Sequence, residues 1–118
     1  MFEFLHINIM AYNTDLEYRI DKLASPFTEL DKRKMFGGVG YMLNGNMCCA
    51  IHKEYLVVRT SIQKAGELLK DETIEPFNIT GKAMKGWLMI SSDYVETDEK
   101  LSSMLKLGID FAENLPPK

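Results

Sequence analysis

The dipeptide Asn44-Gly45 is the part of this sequence that most restricts the folds open to the chain. Asn-Gly between two apolar segments is the strongest local signal for a two-residue turn of type I′, so it predicts a β-hairpin. The segments on either side, 35–43 and 46–52, are the two strands of that hairpin. Lys53-Glu54 makes a second tight connection to a third strand, 55–60, which is rich in valine and tyrosine. Three consecutive antiparallel strands are therefore predicted near the middle of the chain.

Capping and stop signals predict three helices. Thr14-x-x-Glu17 is a capping box, so the first helix begins near Thr14, and Pro26 ends it. Ser61 is predicted to cap a short second helix. Thr97 or Asp98 opens the last helix, in which apolar residues recur at helical spacing.

Two more strands, 76–79 and 87–90, flank a loop at 81–86 that is rich in glycine and lysine. The predicted order of elements is α-β-β-β-α-β-β-α. We therefore predict an α+β fold, a two-layer sandwich in which an antiparallel sheet carries the helices on one face. Residues 10–118 form a single domain. Residues 1–9 precede it as an N-terminal extension, either an extra strand or a segment upstream of the true start at Met10.

The composition excludes several classes of protein. The chain has 118 residues, 46% hydrophobic and 26% charged, the balance of an ordinary globular domain. Its net charge of −3 offers no basic excess for general binding to nucleic acid. No apolar segment approaches the length of a membrane span, so no membrane partner is expected. The two adjacent cysteines, Cys48 and Cys49, are no disulfide framework and fit a cytoplasmic protein.

The two hairpin turns predict which strand residues share a face of the sheet. Regular two-residue turns pair Tyr41 with Cys48, and Cys48 with Arg59. One face is then wholly apolar and is expected beneath the helices: Phe36, Met42, Met47, Cys49, Ile51, Leu56 and Val58, with Gly38 and Gly40. The other face is mixed: Val39, Tyr41, Leu43, Asn46, Cys48, Ala50, His52, Tyr55, Val57 and Arg59.

The mixed face is the candidate functional surface, because a two-layer fold leaves it open and half-apolar patches mark interaction sites. The row of Tyr41, Cys48 and Arg59 suits either a homodimer interface or a ligand platform. The second candidate is a basic and aromatic patch that would hold an anion or a single nucleic-acid strand. Its members are Lys34, Tyr41, Arg59, Lys82, Lys85 and Trp87. Solvated lysines around a core tryptophan are the ordinary alternative, and residue burial statistics favour it.

Cys48 is also a candidate nucleophile or redox centre, because Arg59 beside it would lower the pKa of its thiol. His52 lies four residues along the strand, about 13 Å away, which is too far for it to act as the base. Alternation points Cys48 and Cys49 to opposite faces, so no disulfide between them and no tetrahedral metal site is expected. A small packed thiol is the preferred interpretation, and no catalytic residue, metal or cofactor is predicted.

Five segments carry a family pattern: Lys34-Met35-Phe36-Gly37-Gly38, Asn44-Gly45-Asn46-Met47-Cys48, Leu56-Val57-Val58-Arg59, Gly81-Lys82-Ala83-Met84-Lys85-Gly86-Trp87 and Phe111-Ala112-Glu113-Asn114-Leu115-Pro116-Pro117-Lys118. Together they resemble the TfoX N-terminal domain family, in register from Met10 to Lys118. The resemblance implies a bacterial α+β domain of the kind grouped with secretion-chaperone-like folds. This agrees with the order of elements predicted above.

Full-length TfoX and Sxy proteins regulate genes for DNA uptake and carry a second, C-terminal domain for which this chain has no residues. The resemblance therefore implies a stand-alone N-terminal domain, and it carries over no catalytic residues. We expect a non-enzymatic regulatory or interaction module in the cytoplasm, homodimeric and with an unidentified protein partner. The alternatives are a nucleic-acid-contacting regulator of transcription or competence, and a small enzyme or redox sensor that uses Cys48.

Overall fold

The computed structural model of the protein describes residues 12–27, 29–35, 37–78 and 81–118. The elements in chain order are α1 (Thr14–Ala24), β1 (Leu30–Met35), β2 (Gly38–Leu43), β3 (Asn46–His52), β4 (Tyr55–Arg59), α2 (Ile62–Leu68), β5 (Ile74–Pro76), β6 (Trp87–Ser91) and α3 (Asp98–Glu113). The predicted extension at residues 1–9, the start at Met10 and the placement of Phe36 lie outside the described residues.

The six strands of the described chain form one antiparallel sheet in the order β1-β2-β3-β4-β6-β5. The predicted α+β fold with an antiparallel sheet is therefore confirmed. Asn44 and Gly45 have φ angles of 54° and 83°, as a type I′ turn requires. Lys53 at the second tight turn also has a positive φ, 55°.

Strand β1 is the element that the sequence pattern did not reveal. Its residues, Leu-Asp-Lys-Arg-Lys-Met, are half-buried at the two ends and exposed at the four central positions. An edge strand that is polar on both faces has no alternation to detect, and charged side chains there discourage pairing with other chains. Strand β5 also differs from the prediction: it spans Ile74–Pro76 rather than 76–79.

A β-bulge in the β2–β3 hairpin changes which side chains share a face. Leu43 lies opposite Asn46, but Tyr41 lies opposite Cys49, so Cys48 is the additional residue of β3. A bulge resets the alternation of the strand that carries it. Cys48 and Cys49 are consequently both buried. Their thiols also share a hydrogen bond, so the expectation that they point to opposite faces of the sheet is wrong.

The predicted faces are correct for β3 and β4 beyond the bulge and wrong for β2. Together the strand pairs assign one face to Val39, Tyr41, Leu43, Cys49, Ile51, Leu56, Val58, Leu88 and Ile90. The opposite face carries Gly38, Gly40, Met42, Met47, Ala50, His52, Tyr55, Val57 and Arg59. The predicted row of Tyr41, Cys48 and Arg59 does not form, because the bulge places Tyr41 opposite Cys49 and not opposite Cys48.

Helix α3 packs on the first of these faces, across β3 and β4. Gly108 makes the closest approach, since a Cβ there would meet the backbone of Cys48 and the side chain of Val58. Thr97 caps α3 as predicted, and its side chain accepts a hydrogen bond from the Lys100 amide at 3.2 Å. None of the helices in the described ranges is long and apolar enough to cross a bilayer.

Helix α1 packs beside α3 and buries Leu16 and Ile20. Its N-cap is Asn13, whose side chain accepts a hydrogen bond from the Leu16 amide at 3.0 Å, so the helix begins at Thr14 as predicted but Thr14 is not the cap. Helix α2 is capped by Ser61, contacts β6 and buries Ala65.

Candidate functional site

An apolar groove opens on the sheet face that α1 and α3 leave uncovered. We call it the sheet groove, and its volume is about 370 Å³. Its lining residues are Met35, Gly38, Val39, Met47, Ala50, Ile51, His52, Val57, Phe77, Met84 and Trp87. His52 carries the one titratable side chain among them, and the other lining residues are apolar or glycine.

The floor of the groove depends on the absence of a side chain at Gly40. A Cβ there would lie 3.0 Å from the methyl carbon of Met47 and 3.3 Å from the sulfur of Met35. These two methionines come from β1 and β3 and converge over β2. Methionine is flexible and polarisable, so a surface of this kind adapts to differently shaped apolar partners.

The opposite wall consists of Phe77, Met84 and Trp87, which lie between β5 and the start of β6. The Phe77 amide donates to the Trp87 carbonyl at 3.1 Å, and the Met84 amide donates to the Phe77 carbonyl at 3.0 Å. The Phe77 ring meets His52 edge-on, with 5.7 Å between centroids, and lies 6.4 Å from the Trp87 ring. Met84 at the rim remains 42% exposed. Phe77 and Trp87 thus line the groove together with Val57, and Met84 leaves an apolar side chain facing the solvent.

Arg59 holds one end of this wall in place. Its guanidinium lies 5.2 Å from the centroid of the Trp87 ring and 5.4 Å from that of Phe111 on α3. Stacking of one cation on two aromatic rings is favourable and directional. The contact joins β4, β6 and α3, so Arg59 has a structural role in addition to any role in binding.

His52 brings a polar but uncharged edge to the groove. Burial, with a smaller contribution from the neighbouring Lys53, lowers the pKa of His52 below its ordinary value of 6.5. The imidazole is therefore neutral at pH 7, which keeps the groove free of buried charge.

The candidate residues named from the sequence fall into three places. Tyr41 and Cys48 are buried in the core, with 2% and 0% of their surfaces exposed. Arg59 and Trp87 lie together beside the sheet groove, and Lys82 and Lys85 are exposed on its outer segment. Lys34 is exposed on β1, and four strand spacings of about 4.8 Å separate that strand from β6. The six-residue basic and aromatic patch therefore does not assemble as one surface.

The two thiols are enclosed beneath α3. The Cys48 thiol donates to the Tyr41 carbonyl at 3.2 Å, and both cysteines are unpaired. A hydrogen bond shared with Cys48, together with burial, holds the pKa of Cys49 well above its ordinary value. Hydrogen bonds, first of all that with Cys49, lower the pKa of Cys48. The Arg59 guanidinium lies against the rings of Trp87 and Phe111 and is not among the causes of this lowering, so the predicted activation of the thiol by Arg59 is wrong.

A polar network between α1 and the β1–β2 edge was not foreseen from the sequence. Lys32 Nζ lies 2.7 Å from a carboxylate oxygen of Glu17 and 2.8 Å from one of Asp21. The Tyr41 hydroxyl donates to Asp21 at 2.9 Å, and the Tyr12 hydroxyl donates to Glu17 at 3.0 Å. Hydrogen bonds to both carboxylates raise the pKa of Lys32. The one sequence signal for this network was the spacing of Glu17 and Asp21, which lie one helical turn apart. Their partner Lys32 could not be foreseen, because it lies on β1, which was not predicted.

The described ranges hold no group of three or more His, Cys, Asp and Glu side chains placed to bind a metal ion. The family model of the TfoX N-terminal domain matches residues 21–112. The match covers more than three quarters of the chain and includes both walls of the sheet groove. No curated protein matches the sequence with statistical significance.

Proposed function

Because the chain belongs to the TfoX N-terminal domain family, we propose that it is a non-enzymatic regulatory module that binds an apolar segment of a partner protein in the sheet groove. The observation that carries the proposal is the groove itself: an apolar depression of about 370 Å³ on a sheet face that α1 and α3 do not cover. Apolar patches of this kind on otherwise polar domains are typical of interaction sites.

The shape and chemistry of the groove favour side chains over a polar metabolite. The methionines at positions 35, 47 and 84 offer adaptable apolar contact, and the aromatic rings of Phe77 and Trp87 offer rigid contact. Aromatic and methionine side chains are enriched at the cores of protein interfaces. Exposed charged residues border the groove, with Lys82 and Lys85 on the same segment as Met84. This arrangement resembles an interface with an apolar centre and a polar rim.

Site-specific photo-crosslinking in the native host would test the proposal. A photoreactive amino acid at Met84 is expected to capture a specific protein, because this side chain is exposed at the groove rim. The matched control places the same group at Tyr18 on α1, which is 64% exposed and lies outside the groove. An Ala50→Phe change that fills the groove should abolish the product at Met84. Identical products from both positions, or none from Met84, would refute the proposal.

The competing occupant of the sheet groove is a second copy of the chain, as in the homodimer predicted from the sequence. Sedimentation equilibrium of the wild-type protein and of Ala50→Phe distinguishes the two. A dimer that this substitution dissociates would assign the groove to self-association. A protein that remains monomeric at high concentration would leave the groove to a different partner, and the homodimer prediction would be wrong.

A nucleic-acid-contacting regulator is the second candidate, supported by the exposed Lys82 and Lys85 on the segment that ends at Trp87. Arg59 already stacks on the Trp87 ring. This contact leaves less aromatic surface on which nucleic-acid bases could stack. Fluorescence anisotropy with labelled DNA and RNA at low and physiological salt tests this candidate. Binding that survives physiological salt and is lost in Lys82→Ala/Lys85→Ala would favour it over a protein partner.

The cytoplasmic location and the non-enzymatic role belong to the same proposal. Two unpaired buried thiols suit a reducing compartment. Full burial of Cys48 weakens the case for a nucleophile or redox sensor, since a reactive thiol needs access and an electropositive neighbour.

A further inference from the structure

A second groove lies on the opposite side of the molecule, between the C-terminal end of α1 and the length of α3. We call it the helix groove, and its volume is about 630 Å³. Leu23 and Phe27 form one apolar wall, and Leu105 and Ile109 form the other. Phe27 is 45% exposed, so its ring is accessible at this wall.

The rim of the helix groove is acidic. Asp98, Glu99 and Asp110 line it, and Lys106 is the one basic side chain among its lining residues. Lys106 is already engaged by Asp110, with 3.0 Å between the charged atoms. Asp98 accepts from Arg19 at 3.3 Å but stays largely exposed. The lining residues therefore carry a net charge of −2, three carboxylates against one ammonium, around an apolar floor.

The backbone around the helix groove restricts the form of an occupant. Most of its lining residues belong to α1 and α3, and they include no strand edge to which an extended chain could add. A helix satisfies its own backbone hydrogen bonds and presents apolar side chains one turn apart, so it suits these walls.

The length of the groove sets the size of that helix. The lining residues of α3 extend from Asp98 to Asp110, a rise of about 18 Å along the helix axis. This length holds about three turns of a second helix, with apolar side chains spaced one turn apart to meet the apolar walls. The acidic rim selects basic side chains beside that stripe.

We propose that the helix groove is a docking site for a basic amphipathic helix of another protein, separate from the sheet groove. The proposal commits to a helical partner with lysine or arginine flanking an apolar stripe. It does not depend on what occupies the sheet groove, because the two grooves have no lining residue in common.

Designed peptides test this proposal on the full chain. The probe is a helical peptide with leucines one turn apart and lysines on both flanks. The matched control has glutamate in place of each lysine. The basic peptide should bind at least tenfold more tightly by fluorescence anisotropy, and its amide shift changes in two-dimensional NMR should centre on Phe27 and the 102–109 segment. Equal affinity for both peptides, no binding of the basic peptide, or shift changes centred on the sheet groove would overturn the proposal.

Two charge reversals on α3 distinguish attraction by the rim of the groove from attraction by the net charge of the protein. Glu99→Lys changes the rim of the groove, whereas Glu113→Lys makes the same charge change at the other end of α3, outside the groove. Glu99→Lys should weaken the basic peptide about fivefold to tenfold, and Glu113→Lys less than twofold. Equal effects of the two substitutions would mean that net charge alone attracts the peptide, and the proposal would fall.

Discussion

Helix α3 approaches the sheet so closely at Gly108 that one added methyl group should destabilise the protein. An alanine Cβ at this position would overlap the carbonyl oxygen of Cys48, lie 3.1 Å from its carbonyl carbon and lie 3.5 Å from a methyl group of Val58. The obstacle is strand backbone, which cannot rotate away as a side chain would. The helix must therefore move outward and loosen its contacts along β3 and β4.

The expected size follows from two opposing effects. Overpacking a core costs about 1–3 kcal/mol, and a backbone obstacle places Gly108→Ala at the upper end of that range. Alanine in a helix interior returns about 1 kcal/mol relative to glycine. The net loss is about 2 kcal/mol of unfolding free energy, or about 8 °C in Tm for a domain of this size.

Gly66 in α2 provides the matched control. A Cβ there would meet nothing within 4 Å, so Gly66→Ala should stabilise the protein by about 0.5–1 kcal/mol through helix propensity alone. Urea unfolding followed by circular dichroism measures both variants under one set of conditions. If Gly108→Ala were as stable as the wild type or more stable, α3 would not lie against Cys48 as described, and the argument would be refuted.

Three further outcomes are expected. Stability should fall as the pH rises above about 10, because the Lys32 contribution is complete below its ordinary pKa of 10.5 and is lost as pH passes through its raised folded pKa. Burial and the Asp21 hydrogen bond raise the pKa of Tyr41, which acts in the same direction from 10.0 upward. Lys32→Met should therefore reduce the fall of the urea midpoint between pH 9 and 11 without abolishing it, and an unchanged fall would show that Lys32 contributes nothing to it. Cys48 and Cys49 should resist iodoacetamide in the native protein and react after unfolding; fast native alkylation, detected by mass spectrometry, would contradict their burial. Arg59→Ala should cost about 1 kcal/mol in urea unfolding through two lost ring contacts, and an unchanged midpoint would show that this stacking is not stabilising.

Local signals in the sequence predicted the parts of the fold that local chemistry determines. The Asn44-Gly45 turn, the Ser61 and Thr97 caps and the strand at Trp87 each depend on a few neighbouring residues. The family pattern extended this from Met10 to Lys118, and the family match covers residues 21–112 of that range. Charged side chains hid β1, because an exposed edge strand has no apolar face to display.

The candidate site was only partly predictable, because a single additional residue in β3 reversed the facing of β2. The turn chemistry fixes the pairing next to Asn44, but nothing in the local sequence marks Cys48 as the bulged position. The prediction therefore buried Met47 and exposed Tyr41, the reverse of what the structure shows. Sequence reasoning correctly placed Ala50 and Val57 on the uncovered face, where they line the sheet groove.

The bulge at Cys48 and the glycine at position 108 are complementary parts of one interface. With Cys48 removed, the hairpin would retain all its other partners, Leu43 with Asn46 and Tyr41 with Cys49, as an unbroken ladder. The extra residue therefore adds no backbone partner to the ladder, only the hydrogen bond from its thiol to the Tyr41 carbonyl. It raises a peptide group toward the helix at the point where the helix has no side chain. An insertion in a strand and a glycine more than fifty residues later thus constitute a single structural change divided between two elements, and alteration of either one alone leaves a collision or a void.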